Sequence, residues 1–413
     1  MEVKPGYKQT EVGAIPEDWE VKSLGDIGEA LIGLTYKPTE VRNYGTLVLR
    51  SSNIQNDALE FENNVFVDAE ISERIMVRPN DVLICVRNGS RDLIGKSALL
   101  DERANGMTFG AFMAVYRSQI GRLASYLFQS DILKRQINEH LGATINQITN
   151  KSLNSFRIPL SPSVFEQCTI ANALSDMDAL LVGLDRLIAK KRTIKKATMQ
   201  QLLTGQSRLP GFSGEWNVKL LGDVAEVKTG PFGSLLHERD YVSDGVPIIT
   251  VEHLGEFGVE HVNLPMVSEA DCKRLNAYSL HVGDIVFSRV GSVDRNALIR
   301  KLEDGWLFSG RLLRVRPNES CINSMFLSYQ FHSEKFKLAV RTVAVGQTMA
   351  SLNTRILNGI QVNLPSISEQ TAIATILSDM DAEITVLETR RIKTRALKQA
   401  MMQELLTGRT RLI

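Results

Sequence analysis

The sequence predicts an α/β (α+β) fold with two globular domains per chain, separated by a long antiparallel two-helix coiled coil and related by a pseudo-twofold internal repeat. The first observation is that residues 166–209 recur as residues 369–412, with 23 identities in 44 aligned positions and no gap. The second is that both copies space their apolar residues three and four apart, as a helix does. The third is that β-rich runs bounded by turn residues precede each copy.

Composition limits the possible classes of protein. A chain of 413 residues with 43% hydrophobic content exceeds what one core usually organises, so two or more domains are expected. Lys and Arg number 48 against 47 Asp and Glu, so nucleic acid would have to bind through local basic surfaces. The four cysteines lie far apart, which argues against a zinc site or a disulfide framework. Without an apolar signal segment or a membrane span, we expect a cytoplasmic protein.

The first domain is predicted over residues 1–160. Its β-rich runs lie at 46–49, 82–86 and 112–116, and a helical stretch follows at 123–141. This mixture of strands and helices within a length typical of one domain indicates an α/β unit.

The first repeated helix is predicted over residues 161–207. Ile170, Met177 and Leu184 lie on its apolar stripe, and Gly205 occupies the place of a helix-ending glycine. About forty residues at 1.5 Å per residue make a rod of about 60 Å, too long for a small domain to cover. We therefore expect the two rods to pack against each other.

The second half repeats this order. Residues 208–364 form the second domain, with β-rich runs at 248–251, 285–287 and 312–315 and a helical stretch at 325–341. Residues 365–413 form the second helix, with Ile373, Met380 and Leu387 on its stripe and Gly408 at its end. Antiparallel packing of the rods would place the two domains at opposite ends.

Polar residues suited to contacts with bases and phosphates follow the predicted strands or flank two matching glycine-containing turns. Ordinary surface turns use the same residue types, so contact and a purely structural role both stay open. The candidate contact residues are Arg50, Asn53, Arg87, Arg91, Gln147, Lys151, His253, Arg289, Arg295, Thr348 and Arg355.

Basic residues also cluster on both predicted helices, at 190–196 and 390–398. Such runs could contact phosphates between the two domains, but they more often form a solvated helix face.

The usual phosphate-loop, dinucleotide, zinc-protease and serine-hydrolase motifs are absent from the sequence, as is the Asn-Pro-Pro-aromatic run of adenine methyltransferases. The six histidines show no ligand spacing. We therefore expect no catalytic site, no metal and no cofactor in this chain.

The chain resembles the DNA specificity subunit of type I restriction-modification systems over essentially its full length. The resemblance rests on Leu-Ser-Asp-Met-Asp at 174–178 and 377–381, Leu-Leu-Thr-Gly at 202–205 and 405–408, and the Trp-x-Val-Lys-x-Leu-Gly-Asp starts at 19–26 and 216–223. It implies that each domain reads one half of a split, asymmetric DNA site while the helices set the spacer.

The same resemblance implies partners. Two methyltransferase subunits that bind S-adenosylmethionine would dock on the repeated helices and methylate adenine. A motor-nuclease subunit would add translocation and cleavage driven by ATP with Mg²⁺. This chain itself would be non-catalytic.

Two other interpretations compete. A coiled-coil scaffold with protein-binding domains would fit the near-zero net charge. A self-contained nuclease would need Asp81 and Asp284 as metal ligands, but neither copy supplies a second carboxylate and a lysine at a useful spacing.

Overall fold

The computed structural model describes residues 5–141, 146–232, 235–255, 258–344 and 351–412. The chain divides into two compact units. Unit 1 comprises Met1–Asp185 and Arg390–Ile413, and unit 2 comprises Arg186–Thr389. The long helices therefore do not form units of their own, because each is shared between the two.

Unit 1 begins with short strands and ends in the first long helix. In chain order its elements are β1 (Tyr7–Thr10), β2 (Gly13–Pro16), β3 (Glu20–Ser23), α1 (Leu24–Ile27), β4 (Gly28–Ile32), β5 (Val41–Arg42), β6 (Thr46–Leu49), β7 (Ile54–Gln55), β8 (Ala58–Leu59), β9 (Phe66–Val67), β10 (Val82–Cys85), β11 (Ser97–Leu99), β12 (Thr108–Phe109), β13 (Met113–Ser118), α2 (Gly121–Gln129), α3 (Asp131–His140), α4 (Asn150–Ser155), β14 (Arg157–Leu160) and the first part of α5 (Val164–Leu203).

Unit 2 contains the rest of α5 and, within its described ranges, repeats most of this succession, without strands equivalent to β1, β2, β7 and β8 and with one additional helix, Glu269–Arg274. Its elements are β15 (Asn217–Leu220), α6 (Leu221–Val224), β16 (Ala225–Thr229), β17 (Tyr241–Val242), β18 (Val246–Ile249), β19 (Met266–Val267), α7 (Glu269–Arg274), β20 (Ile285–Ser288), β21 (Asn296–Leu298), β22 (Leu307–Phe308), β23 (Leu312–Pro317), α8 (Ser324–His332), α9 (Glu334–Val343), α10 (Thr354–Asn358), β24 (Gln361–Leu364) and α11 (Ile367–Leu405), whose last part belongs to unit 1.

The sheets of the two units share one topology. The order β11-β10-β13-β4 in unit 1 matches β21-β20-β23-β16 in unit 2, and β12-β6-β9-β5 matches β22-β18-β19-β17. In each second sheet the pair β6·β12 or β18·β22 is parallel, whereas the other pairs are antiparallel. The pseudo-repeat predicted from the helices thus extends to the β structure of the diverged domains.

Each long helix begins inside the core of a globular domain. Ile170 of α5 is buried with Trp19 and with Leu405 near the end of α11, all in unit 1. Ile373 of α11 is buried with Leu202 and Leu203 of α5 in unit 2. The helix ends therefore contribute core residues to the domains, beyond the packing of rod on rod that the stripe predicts.

The other predicted packing residues are buried to different degrees. Leu184 is 4% exposed, whereas Met177, Met380 and Leu387 are only half-buried. After each helix, Gly205 with φ +74° and Gly408 with φ +68° adopt the left-handed backbone expected of a helix-ending glycine.

Ion pairs show that the helices run antiparallel within each unit. In unit 1, Asp178 pairs with Lys398 at 2.6 Å and Asp185 with Arg391 at 3.0 Å, so the numbers fall on one helix as they rise on the other. The antiparallel coiled coil predicted from the stripe is confirmed.

The same antiparallel pattern occurs in unit 2, where Arg192 pairs with Glu388 at 2.7 Å and Lys195 pairs with Asp381. About half of the predicted basic residues therefore neutralise acidic residues on the neighbouring helix, namely Lys191, Arg192, Lys195, Arg391 and Lys398. The others are exposed, as a solvated helix face predicts, and they are Lys190, Lys196, Arg390, Lys393 and Arg395.

A tyrosine anchors each domain to its helices. Tyr126 of α2 donates a hydrogen bond to Asp178 at 2.9 Å, and Tyr329 of α8 donates to Asp381 at 2.7 Å. Burial and the adjacent carboxylate raise the pKa of both phenols well above their ordinary value, so each remains a donor at neutral pH.

The strands were predicted more accurately than the short helices. The runs at 46–49 and 285–287 coincide with β6 and β20 to within one residue. Each predicted single helix in the domains is instead two, broken at Ser130 and at Ser333. Ser333 caps α9 by accepting from Phe336 N, which starts a new helix where the apolar period alone predicts continuity.

Candidate nucleic-acid interface

A pocket of about 560 Å³ lies in unit 1 where loops leave the ends of several strands. Arg50, Ser51 and Ser52 follow β6, and Arg87 and Asn88 follow β10. The strand ends thus bring together side chains that are about 37 residues apart in sequence. The other lining residues come from the loop after β4 and the loop before β13, and they are Leu34, Thr35, Tyr36, Gly110, Ala111, Phe112 and Met113.

The guanidinium of Arg50 has one nitrogen that forms a hydrogen bond within the protein and another that remains available to a ligand. Its Nη2 donates to Asn63 O at 2.9 Å. Its Nε and the Oγ of Ser52 are buried and find no hydrogen-bond partner among the described residues. A buried polar atom without a partner costs about 1–3 kcal/mol, so such atoms mark places where a polar ligand fits.

Arg87 and Phe112 form an exposed cation and ring pair at the mouth of this pocket. The guanidinium carbon of Arg87 lies 5.1 Å from the ring centroid of Phe112, which is 59% exposed. The planar cation suits the edge of a guanine, and the exposed ring suits the face of a base. Gln147, another candidate, pairs with Arg87 through an isolated β-bridge and is exposed beside it.

Asn53 and His253 have a different role from the one predicted. Asn53 is completely buried; its amide oxygen accepts from Arg50 N, and its nitrogen donates to Glu60 O. His253 is 5% exposed, and its Nδ1 accepts from Thr250 N at 3.1 Å. Both side chains close the turn after the equivalent strands β6 and β18, and neither is exposed at the surface.

Unit 2 presents different chemistry at the equivalent strand ends. Arg289 follows β20 and lies 6.0 Å from the ring centroid of Phe232, which is 63% exposed. Exposed Arg311 stands just before β23, where unit 1 has Phe112 before β13. Exposed Glu252 stands where unit 1 has Ser52. A carboxylate accepts from cytosine whereas arginine donates to guanine, so the two surfaces fit different bases.

The remaining candidates fall outside these clusters or form internal contacts. Arg91 is exposed and donates to Asn138 O at 3.1 Å, and Arg295 is exposed while donating to Leu254 O. Lys151 and Arg355 are exposed at equivalent positions on α4 and α10, and Arg355 lines a separate groove. Thr348 lies outside the described residues.

The carboxylates required by a nuclease are committed to structural ion pairs. Asp81 is 2% exposed and pairs with Arg117 at 2.7 Å, and Asp284 is 2% exposed and pairs with Arg316 at 2.7 Å. Within the described ranges, no group of three or more His, Cys, Asp or Glu residues is arranged to hold a metal ion. Asp81 and Asp284 therefore offer no support for a metal-dependent nuclease.

The family model for the type I restriction modification DNA specificity domain matches the chain twice, at residues 16–195 and 213–395. The chain belongs to this type I specificity family. The MjaVIII specificity subunit of Methanocaldococcus jannaschii is 24% identical, over 98% of this chain and 96% of its own length. The EcoKI specificity subunit of Escherichia coli K12 is also 24% identical, over 91% of this chain and 85% of its own length.

Solved structures show the same fold for the specificity family. The S subunit from M. genitalium superposes with a TM-score of 0.59 at 16% identity, covering 98% of each chain. A chain from a study of complex assembly and conformational transition in the type I R-M system gives 0.59 at 17% identity, over 95% of this chain and 99% of its own.

Sequence reasoning missed several residues of these surfaces in the specificity chain. Tyr36, Phe112 and Phe232 are aromatic residues that hydropathy assigns to a core, yet Phe112 and Phe232 are largely exposed. Arg311 stands before its strand, whereas the predicted candidates follow strands or flank the two glycine-containing turns. An exposed aromatic residue next to a strand would have been the signal, but exposure cannot be read from composition.

Proposed function

We propose that this chain is the non-catalytic DNA-reading subunit of a type I restriction-modification complex, and that each unit reads one half of a bipartite site. The observation that carries this proposal is the pair of surfaces at equivalent strand ends, with Arg50, Arg87 and Phe112 in unit 1 and Phe232, Arg289 and Arg311 in unit 2. Arginine and exposed rings are the groups that read base edges and pack on bases. The family membership supplies DNA as the ligand and disfavours a scaffold that binds only proteins.

The two half-sites are expected to differ. At equivalent positions, unit 1 has the uncharged residues Ser52 and Phe112, whereas unit 2 has the charged residues Glu252 and Arg311. Because a carboxylate and a guanidinium prefer different base edges, the two units should select different bases. The full target would then be asymmetric.

The chemistry of such a complex would belong to its partners. Two methyltransferase subunits would bind S-adenosylmethionine and methylate adenine, and a motor-nuclease subunit would use ATP and Mg²⁺. The names of the relatives, which are type I restriction enzyme specificity subunits, support this division of labour. The complex would act on duplex DNA in the cytoplasm. Among the described residues, no helix combines the length and apolar character needed to cross a membrane.

Exchange of one domain tests the proposal. Residues 208–364 are replaced by the equivalent domain of another family member, and the target is determined by sequencing the adenine methylation that the assembled complex leaves on genomic DNA. The proposal requires one half-site to change while the other half-site persists. A matched exchange of residues 1–160 should change the opposite half. Loss of both half-sites in two complexes that still assemble would contradict independent reading by the two units.

A further inference from the structure

A groove of about 740 Å³ opens in unit 2 on elements that the DNA surfaces do not use. It lies between α9, α10, β24 and the end of α5. Its floor is apolar, and the residues that form it are Leu203, Phe336, Ala339, Val343, Ile356 and Ile360. Val343 remains 43% exposed although it stands among apolar neighbours.

One wall of this groove is the free edge of strand β24. In the antiparallel pair β15·β24, Leu221 N donates to Ile360 O, which marks positions 221 and 360 as a hydrogen-bonded pair. Bonded and non-bonded pairs alternate along an antiparallel ladder. Gln361 and Asn363 are therefore the residues whose N–H and C=O groups point away from β15, and both line the groove.

Unit 1 closes the corresponding edge on β14. There Gln136 of α3 accepts from Arg157 N at 2.8 Å and donates to Arg157 O at 2.7 Å, so one side chain satisfies both outward groups. The next outward residue is Pro159, which has no N–H to offer. This is a common way of protecting a strand edge from pairing.

Unit 2 lacks both devices. Ala339 stands at the position of Gln136, and Asn363 at the position of Pro159. No described side chain bonds the outward N–H and C=O of Gln361, whereas Asn363 O accepts from Gln330 at 2.5 Å. The edge therefore offers two N–H donors and one carbonyl acceptor beside an apolar floor.

The charge of the groove selects its occupant. Lys335 and Arg355 are exposed and line it, and none of its described lining residues is acidic. The neighbouring cavity shares Lys335 and adds Lys196 and Lys337, which outnumber Glu334, the one acidic residue among its described lining residues. An occupant of opposite charge is favoured, and the free strand edge demands an extended backbone.

We propose that this groove binds an extended acidic segment of a partner protein, which adds to β24 as a further strand. The segment would place apolar side chains at every second position on the floor and acidic residues near Lys335 and Arg355. DNA phosphates would match the charge and accept from the outward N–H groups, but they would leave the apolar floor and the outward carbonyl of Gln361 without a suitable partner. The proposal does not depend on which bases the two units read.

A peptide selection tests this proposal. A phage-displayed library of random twelve-residue peptides is selected on the full-length chain, with counter-selection on the A339Q variant, which restores the unit 1 residue. Enriched peptides should carry acidic residues and apolar residues two positions apart. A labelled peptide from the enriched pool should bind the A339Q and N363P variants at least tenfold more weakly, as judged by fluorescence anisotropy.

Two further variants separate the groove from general effects. R355E should weaken the peptide at least tenfold, whereas Q136A in unit 1 should leave its binding unchanged because Pro159 still blocks that edge. The proposal is overturned if no peptide is enriched over the counter-selected pool, or if the enriched peptides bind all variants equally. It is also overturned if apolar positions recur every three to four residues, since a helix would then be the occupant, or if duplex DNA binding rather than peptide binding is lost in A339Q.

Discussion

Arg411 forms a bidentate ion pair with Glu166, its Nε and Nη2 lying 2.6 and 2.9 Å from the two carboxylate oxygens. The equivalent pair in unit 2 joins Arg208 to Glu369 at 2.6 and 2.7 Å. In each unit, the arginine that follows one long helix neutralises a buried glutamate at the start of the other. Each domain is thereby fixed to both helices.

Burial alone would raise the pKa of Glu166. The hydrogen bonds from Arg411 and Ser161 outweigh this effect and hold its pKa below the ordinary value of 4.5. The carboxylate of Glu166 is therefore charged at neutral pH, and the charge of Arg411 is needed to offset the cost of its burial.

Removal of Arg411 should destabilise unit 1 strongly. In R411M the charge of Glu166 stays buried without its partner, which costs roughly 3–5 kcal/mol for a buried pair. R208M should have the same effect on unit 2. Hydrogen exchange resolved by peptide should show lost protection confined to one unit in each variant.

The matched control is R409M, because Arg409 pairs with Glu404 at 3.7 Å on the surface. A surface pair contributes about 1 kcal/mol or less, so protection should hardly change. If R409M and R411M behaved alike, the buried pair would not be what fixes the domain to the helices.

His332 should make unit 2 sensitive to acid. Burial lowers the pKa of His332 to about 4 from 6.5, with Lys337 and Lys195 contributing. Since the unfolded chain binds the proton first, stability is complete above pH 6.5 and is lost as the pH falls toward 4. The loss is on the order of 3 kcal/mol at most.

The test is H332Q, since unit 1 has Gln129 at the equivalent position. Thermal midpoints measured from pH 7 to pH 4 should fall less steeply in H332Q than in the parent chain. H140Q replaces an exposed histidine and should follow the parent. Identical slopes for all three proteins would show that His332 is not the responsible group.

Contacts in the two surfaces should affect separate halves of the target. R87A should lower affinity for the first half-site by about 1–3 kcal/mol, the usual worth of a specific arginine contact. R311A should do the same for the second half-site. Binding to targets mutated in one half at a time measures both effects, and the untouched half serves as the internal control. A uniform loss across all sequences would reassign these arginines to phosphate contacts.

The helices should set the distance between half-sites. One heptad inserted after Asp185 and another after Thr389 leave the ion pairs within each unit intact. Seven residues add about 10 Å of helix, which corresponds to about three base pairs of duplex. Selection of targets by the double insertion should show the longer spacer with unchanged half-sites.

An insertion in α5 alone is the contrasting case. It moves the charged residues of α5 out of register with their ion-pair partners on α11. The chain should therefore lose stability, and the distance between the half-sites should not increase. An unchanged spacer in the double insertion would contradict the ruler role of the helices.

Much of the fold follows from periodicity. The repeat, the two long helices and the main strands could be predicted because apolar spacing and helix-ending glycines are local signals. The break at Ser333 could not, because a cap by one hydroxyl does not disturb the apolar period. The sequence also did not predict that the sheets of the two units have the same strand order, because the diverged domains share this topology with little shared sequence.

The candidate interface was predictable in part. Arg50, Arg87 and Arg289 were found because charged residues after strands gather at a sheet edge. Asn53 and His253 have the residue types of base readers, yet their side chains close turns, and only the three-dimensional contacts distinguish the two roles. Phe112 and Phe232 were missed because the sequence alone does not show whether a phenylalanine ring is exposed or buried.

The most direct test of the central claim is selection from a random-sequence duplex pool by the purified chain, with and without methyltransferase subunits of matching specificity. We predict enrichment of two short, different motifs at one fixed separation. A single uninterrupted motif, or no enrichment even with the partners present, would contradict the assignment of one half-site to each unit.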